Sequence, residues 1–237
     1  MSKWLKWGAA AVVLLAVLVG GTGWWLRNNL DAIVQRGIVR YGSQMTQARV
    51  AVDGVEIHSA DGSGVIRGLV IGNPAGFRTP HALKVGIVEV VVDVTTLADP
   101  VVVIKRIVIE APDVIYEKGE SITNFDAIQQ NIARSLGPAR SGGDAGAASS
   151  GRKLIVDELI IRNARAQASA AALGGRTVSA TLPDITLRQI GRSQGGVTPA
   201  QLGQIVARAL SQRLATSLGF DRVLKSLGDR VKDLFRR

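Results

Sequence analysis

Trp7 to Leu26 (WGAAAVVLLAVLVGGTGWWL) runs for twenty residues without a charge, and no other stretch constrains the chain as strongly. At about 1.5 Å of rise per residue, a helix of this length covers roughly 30 Å, the thickness of a bilayer's hydrocarbon core. Its leucines and valines favour insertion by roughly 2–5 kcal/mol before the glycines and Thr22 subtract from it. Lys3 and Lys6 flank one end, and Trp24 and Trp25 stand where an interfacial aromatic belt would lie. The expectation is a single membrane-spanning helix within an anchor at residues 1–27. A buried core helix with no polar face is uncommon in a chain of 237 residues. Gly21-Thr22-Gly23 would pass as a signal cleavage site, but the apolar run exceeds the roughly 7–15 residues of a secretory signal, so retention is expected. Arg27, Arg36 and Arg40 follow the run just as Lys3 and Lys6 precede it, so basic residues alone do not orient it.

The rest of the chain is long enough for one sizeable domain or two small ones. There is no cysteine, which excludes disulfides, thiolate nucleophiles and Cys-based metal sites. The net charge is +10, and its location is informative: the segment from Pro199 to Arg237 holds eight Lys/Arg against three Asp. Beside a membrane anchor, anionic headgroups answer such a tail more simply than nucleic acid does.

After the anchor, Leu30, Ile33, Val34, Ile38 and Tyr41 recur at helical spacing, predicting a juxtamembrane helix over 28–45. A β-rich domain over 46–192 follows. Val50/Val52 and Val55/Ile57 alternate around Asp53-Gly54, Val65 to Ile71 returns after a Gly-rich turn, and GNPAGF (Gly72–Phe77) is a loop. Leu83 to Val94 and Val101 to Ala111 are apolar on both faces, as strands covered on both sides are. Perfect alternation would place Val88, Val90, Val92 and Val94 with Val101, Val103, Ile107 and Ile109 on one apolar sheet surface. Asn124 reads as the N-cap of a short helix striped by Phe125, Ile128, Ile132 and Leu136. Residues 137–152, made of Gly, Ala and Ser with no large apolar side chain, read as a mobile linker.

A faint repeat spans that linker. Val102–Tyr116 (VVIKRIVIEAPDVIY) and Leu154–Ala168 (LIVDELIIRNARAQA) align without gaps, 52 residues apart. Pro183 demotes the strand over 176–187 to an edge or a bend. The C-terminal region, 198–237, reads as amphipathic helices. Thr198-Pro199 opens the first, and Phe220, Val223, Leu224, Leu227, Val231, Leu234 and Phe235 form the apolar face of the last, opposite Arg and Lys.

No catalytic constellation stands out. His58 and His81 lack metal-ligand spacing and read as solvated. No P-loop or GxSxG context exists, and Glu110, Asp113, Glu117 and Glu120 read as a solvated acidic rim. With 4% aromatics and none interleaved among the basic residues, a nucleic-acid stacking platform is disfavoured. The expectation is a non-enzymatic protein with no cofactor, no metal and no nucleic-acid partner.

The segment GLVIGNPAGF (Gly68–Phe77), then HALKVGIVEVVVDVTTL, IVIEAPDVIYE and KLIVDELIIRNARA, resembles bacterial envelope proteins of the AsmA family, relatives of bridge-like lipid-transfer proteins. The resemblance covers roughly residues 50–190 and implies an inner-membrane helix with a β-rich periplasmic body. The expected fold class is therefore α+β: a single N-terminal transmembrane helix, a curved, mostly antiparallel β-sheet domain with covering helices, and a C-terminal amphipathic helix. No functional residue transfers, because the family pattern specifies a surface. Membrane phospholipid is the implied partner, with further copies of the chain or another envelope protein beside it. Two functions fit: an apolar sheet surface contacting lipid, in lipid transport or outer-membrane biogenesis, or a membrane-tethered scaffold or assembly factor with no lipid-handling role.

Overall fold

Apolar residues in this chain alternate with period two over ten short segments, and the fold joins them into one sheet. A computed structural model describes residues 29–136, 152–170 and 178–218. Helix α1 occupies 29–46. The strands are β1 (Val50–Ala51), β2 (Gly54–His58), β3 (Ser63–Ile71), β4 (Leu83–Val92), β5 (Val101–Glu110) and β6 (Asp113–Lys118), then β7 (Lys153–Arg162), β8 (Arg165–Ala170), β9 (Val178–Thr181) and β10 (Ile185–Ile190). Helices α2 (Asn124–Leu136) and α3 (Pro199–Leu218) complete the described chain.

Several of these strands are two halves of one path. β1 and β2 pair with β3 in one unbroken register, β5 and β6 share theirs with β4, and β9 and β10 share theirs with the β7–β8 path. The interruptions align across the sheet as a crease: Val52-Asp53, Gly68, Gly86, Ala111-Pro112, Asn163-Ala164 and Leu182 to Asp184. Along it the inward positions step by three residues instead of two, as in Val52/Val55, Val85/Val88, Ile161/Ala164 and Leu182/Ile185, all buried. One skipped residue restores the same inward face beyond the bend. Gly68 (φ +61°), Ala111 (φ +46°) and Asn163 (φ +55°) lie on this line in left-handed conformation. At Gly68 the fit is tight: a Cβ there would stand 1.9 Å from Asp53 Oδ2, so only glycine serves.

The repeat read from sequence sits at the sheet's centre. β5 lies parallel to β7 and β6 parallel to β8, with each residue beside its own counterpart: Val102 with Leu154, Ile107 with Leu159, Asp113 with Arg165. Charges are reversed between the copies. Arg106 pairs with Glu158 (3.0 Å) and Glu110 with Arg162 (2.5 Å), each partner 52 residues on. A parallel pair needs a crossover, and α2 lies within it.

One sheet face is roofed by helices. α2 packs beside β6, α3 over β7 and β10, and Gln129 Nε2 donates to Ser211 Oγ (2.9 Å) between them. Phe125, Ile128 and Ile132 of α2 and Leu210 and Leu214 of α3 bury against Val88, Ile104, Ile107, Val156, Leu159 and Ile161. α2 opens on a capping box: Asp126 N donates to Thr123 Oγ1 and Thr123 N to Asp126 Oδ2. Thr123, not Asn124, is thus the cap. Thr198 and Gln201 form the same reciprocal pair at the start of α3.

The chain is α+β with a mostly antiparallel sheet, parallel only at two central pairings. The fold class read from sequence is corrected in one respect, its transmembrane helix. No helix among the described residues is long and apolar enough to cross a membrane: α1 carries Asp31, Arg36 and Arg40, α2 is 13 residues long, and α3 carries Gln, Ser and Arg throughout. The stretch Trp7–Leu26 with Lys3, Lys6, Trp24 and Trp25 lies outside the described residues. So do 137–151 of the expected linker and the face from Phe220 to Phe235.

Candidate functional site

The apolar surface expected on β4 and β5 is divided by the structure. Val88 and Ile107 are buried in the core beneath the helices, and Val90, Val92 and Ile109 are half-buried against the same core. Val101 and Val103 do not join them. Between Val91 and Val92 the β4–β5 register shifts by one residue, Val91 facing Arg106 and Val92 facing Ile104. That β-bulge at Lys105-Arg106 turns Val102 and Ile104 inward with Ile107 and leaves Val101 and Val103 on the opposite face. β7 carries the same irregularity at Asp157-Glu158, and Gln189 of β10 (φ +54°) continues the row. Val94 has left the strand altogether and stands 38% exposed at the start of a 3-10 turn.

The outward face is laced with ion pairs. Lys105 meets Asp93 (3.4 Å), Arg106 and Arg188 both meet Glu158 (3.0 and 3.3 Å), Arg67 meets Glu56 (3.1 Å) and Arg192 meets Asp157 (2.5 Å). A notch of about 290 Å³ opens there, lined by Ile87, Glu89, Val108, Glu110, Arg162 and Asn163. Its polar groups already hold one another. Asn163 (2.6 Å) and Arg162 donate to Glu110 and keep its carboxyl below the usual range, and Glu110 in turn raises Arg162.

The acidic rim and the histidines read from sequence as solvated are partly structural. Glu117 is 8% exposed and pins the GNPAGF loop. Its carboxylate accepts from Arg78 N (2.8 Å), Thr79 N (2.8 Å) and Thr79 Oγ1 (2.6 Å). Burial pushes this carboxyl up, but those donors outweigh it and hold the group below its ordinary value. Asn124, with no exposed surface, knits the same loop to the sheet: Nδ2 donates to Asn73 Oδ1 and Ile115 O, and Oδ1 accepts from Glu117 N. His81 Nε2 lies 3.2 Å from Asp113 Oδ2, while Gln167 donates to the other oxygen of Asp113. His58 is exposed. Among the described residues no group of His, Asp and Glu could hold a metal ion.

Sequence reasoning named Val94 as a strand residue of the apolar surface and missed the exposed turn that it shares with Leu97. In the connection from β4 to β5, Val94 and Leu97 are 38% and 45% exposed, and Asp93 braces the turn between them by accepting from Thr95 N and Thr95 Oγ1. The signal was present, since two large apolar residues three apart in a loop before Pro100 have no strand to serve. Set beside known proteins, the chain matches no family model and no curated protein.

Proposed function

We propose that this chain is a non-enzymatic scaffold held beside a membrane, presenting a rigid, creased β-sheet body to protein partners. One observation carries the choice between scaffold and lipid carrier: α2 and α3 roof the sheet face that would otherwise receive acyl chains. Val88 is 6% and Ile107 9% exposed, leaving these positions no surface to offer a lipid chain. The charge-free residues Trp7–Leu26 are the natural attachment to the bilayer. The resemblance to AsmA-related proteins suggests the bacterial inner membrane, with the body on the periplasmic side. Partners on this reading are membrane phospholipid at the point of attachment, and an envelope protein or a second copy of the chain on the body.

The test is lipid extraction and native mass spectrometry of detergent-exchanged full-length protein. The expected result is no stoichiometric phospholipid retained by the body, and Val88→Asp should unfold the protein rather than empty it. Retained phospholipid that Val90→Asp removes from a still-folded protein would sink the scaffold reading and restore the carrier.

A further inference from the structure

We infer that the end of the sheet formed by the β2–β3 turn and the 93–100 connection rests on a lipid surface, with Val94 and Leu97 entering the headgroup region. This rests on the membrane-held reading above and adds which end of the body faces the bilayer. The first support is the braced apolar tip. Among the described residues the exposed large hydrophobics are Tyr41, Ile87, Val94 and Leu97, and two of these four share one short turn. That turn is rigid: Thr96 Oγ1 donates to Asp93 O (2.8 Å) and accepts from Val103 N (3.0 Å), while Asp93 N donates to Val103 O (2.8 Å). Two apolar side chains held outward by a fixed turn enter an interface without further loss of backbone freedom.

The second support is where the chain comes in. Ile57 N donates to Asp31 Oδ1 (3.0 Å), placing the first turn of α1 at the open end of β2. The adjoining turn touches the tip, since Val92 N donates to Gly62 O (2.9 Å) and a Cβ on Gly62 would stand 2.8 Å from Val94 Cγ1. The described chain therefore starts at the same end as Val94 and Leu97, with Arg27 and Asn28 between it and the charge-free residues Trp7–Leu26. A body tethered there sets this end, and not the GNPAGF end, toward the bilayer.

The third is charge. Arg152 and Lys153 are exposed beside the tip, Lys153 N donating to Pro100 O (3.1 Å), with Lys105 and Arg192 nearby. Asp31, Asp61, Asp93, Asp99 and Asp157, the last bound to Arg192, oppose them. With no cationic surplus among these groups, the contact is apolar and should survive high salt, unlike a polybasic one.

Because the chain has no cysteine, one introduced thiol labels one place. Full-length Leu97→Cys and, at the far end, Glu120→Cys would carry an environment-sensitive dye. Both would be reconstituted with vesicles of phosphatidylcholine and phosphatidylglycerol. The expected result is a blue shift at Leu97 with quenching by lipids brominated high on the acyl chain, at low and high salt, and neither effect at Glu120. Val94→Cys should repeat the Leu97 result. Protein that floats with the vesicles while its Leu97 and Val94 labels stay as solvated as the Glu120 label overturns the inference and leaves the tethered reading standing. Protein that does not float overturns both.

Discussion

Glu117→Gln is the sharpest probe of how the sheet holds its largest loop. The carboxylate gathers Arg78 N, Thr79 N and Thr79 Oγ1 within 2.6–2.8 Å while 8% exposed. Hydrogen bonds to a charged group contribute roughly 1.5–3 kcal/mol each. Glutamine keeps one acceptor oxygen but turns an amide donor toward donors, so one or two of these bonds are lost. The expected cost is about 2–4 kcal/mol, which at a urea slope of about 2 kcal/mol/M lowers the unfolding midpoint by about 1–2 M. The pH dependence has a definite sign. The folded carboxyl titrates below its ordinary value, so its contribution is complete above the unfolded glutamate value of about 4.3 and disappears as pH falls through the lower folded value. The gap between wild type and variant should be full at neutral pH and close on acidification, and the amides of Arg78 and Thr79 should lose hydrogen-exchange protection in the variant. Equal urea midpoints at neutral pH, or a gap that persists in acid, would refute the reasoning.

Asn124→Ala should cost about 2–4 kcal/mol by thermal or urea unfolding, since it leaves Glu117 N and Ile115 O without their partner in a fully buried site. Leu159→Ala, at 1% exposure under the helices, should cost about 2–5 kcal/mol. A cost below about 1 kcal/mol would mean that the face is open. Gly68→Ala should destabilise strongly through both its positive φ and its overlap with Asp53. Adding Asp53→Ala should recover part of the loss, and a double variant no better than the single one would show that the crease does not depend on this contact. Arg106→Glu should cost roughly 0.2–1 kcal/mol in urea unfolding, with Glu158→Arg beside it restoring the pair.

The strands were legible because β-branched residues alternate over β3, β4 and β5 in runs bounded by Gly and Pro. The repeat was legible too, as paired charges preceding Ile107 and Leu159. What the sequence hid was any departure from strict alternation. A bulge inserts one residue without changing composition, so strict alternation puts Val101 and Val103 on the face of Ile107, and only the pairing of Val92 with Ile104 reveals the switch. The parallel stacking of the copies was equally hidden, because a repeat says that two units are alike and not that they are neighbours. The helical roof depends on where α2 and α3 dock, which their amphipathic stripes allow but do not fix. Glu117 looked like rim because its partners are backbone N–H groups 38 and 39 residues away.

In-register parallel stacking of two like units has a consequence for solubility. Had the units remained identical, each cation would face its own copy, Arg106 against arginine and Glu110 against glutamate. The reversal to Glu158, Arg162 and Arg165 makes each half attractive to the other and repellent to itself. When two chains meet before their sheets have closed, first half against first half in the same register, like charges meet along the row. The preference that closes the sheet within one molecule thus discourages the same strands from zipping together between molecules.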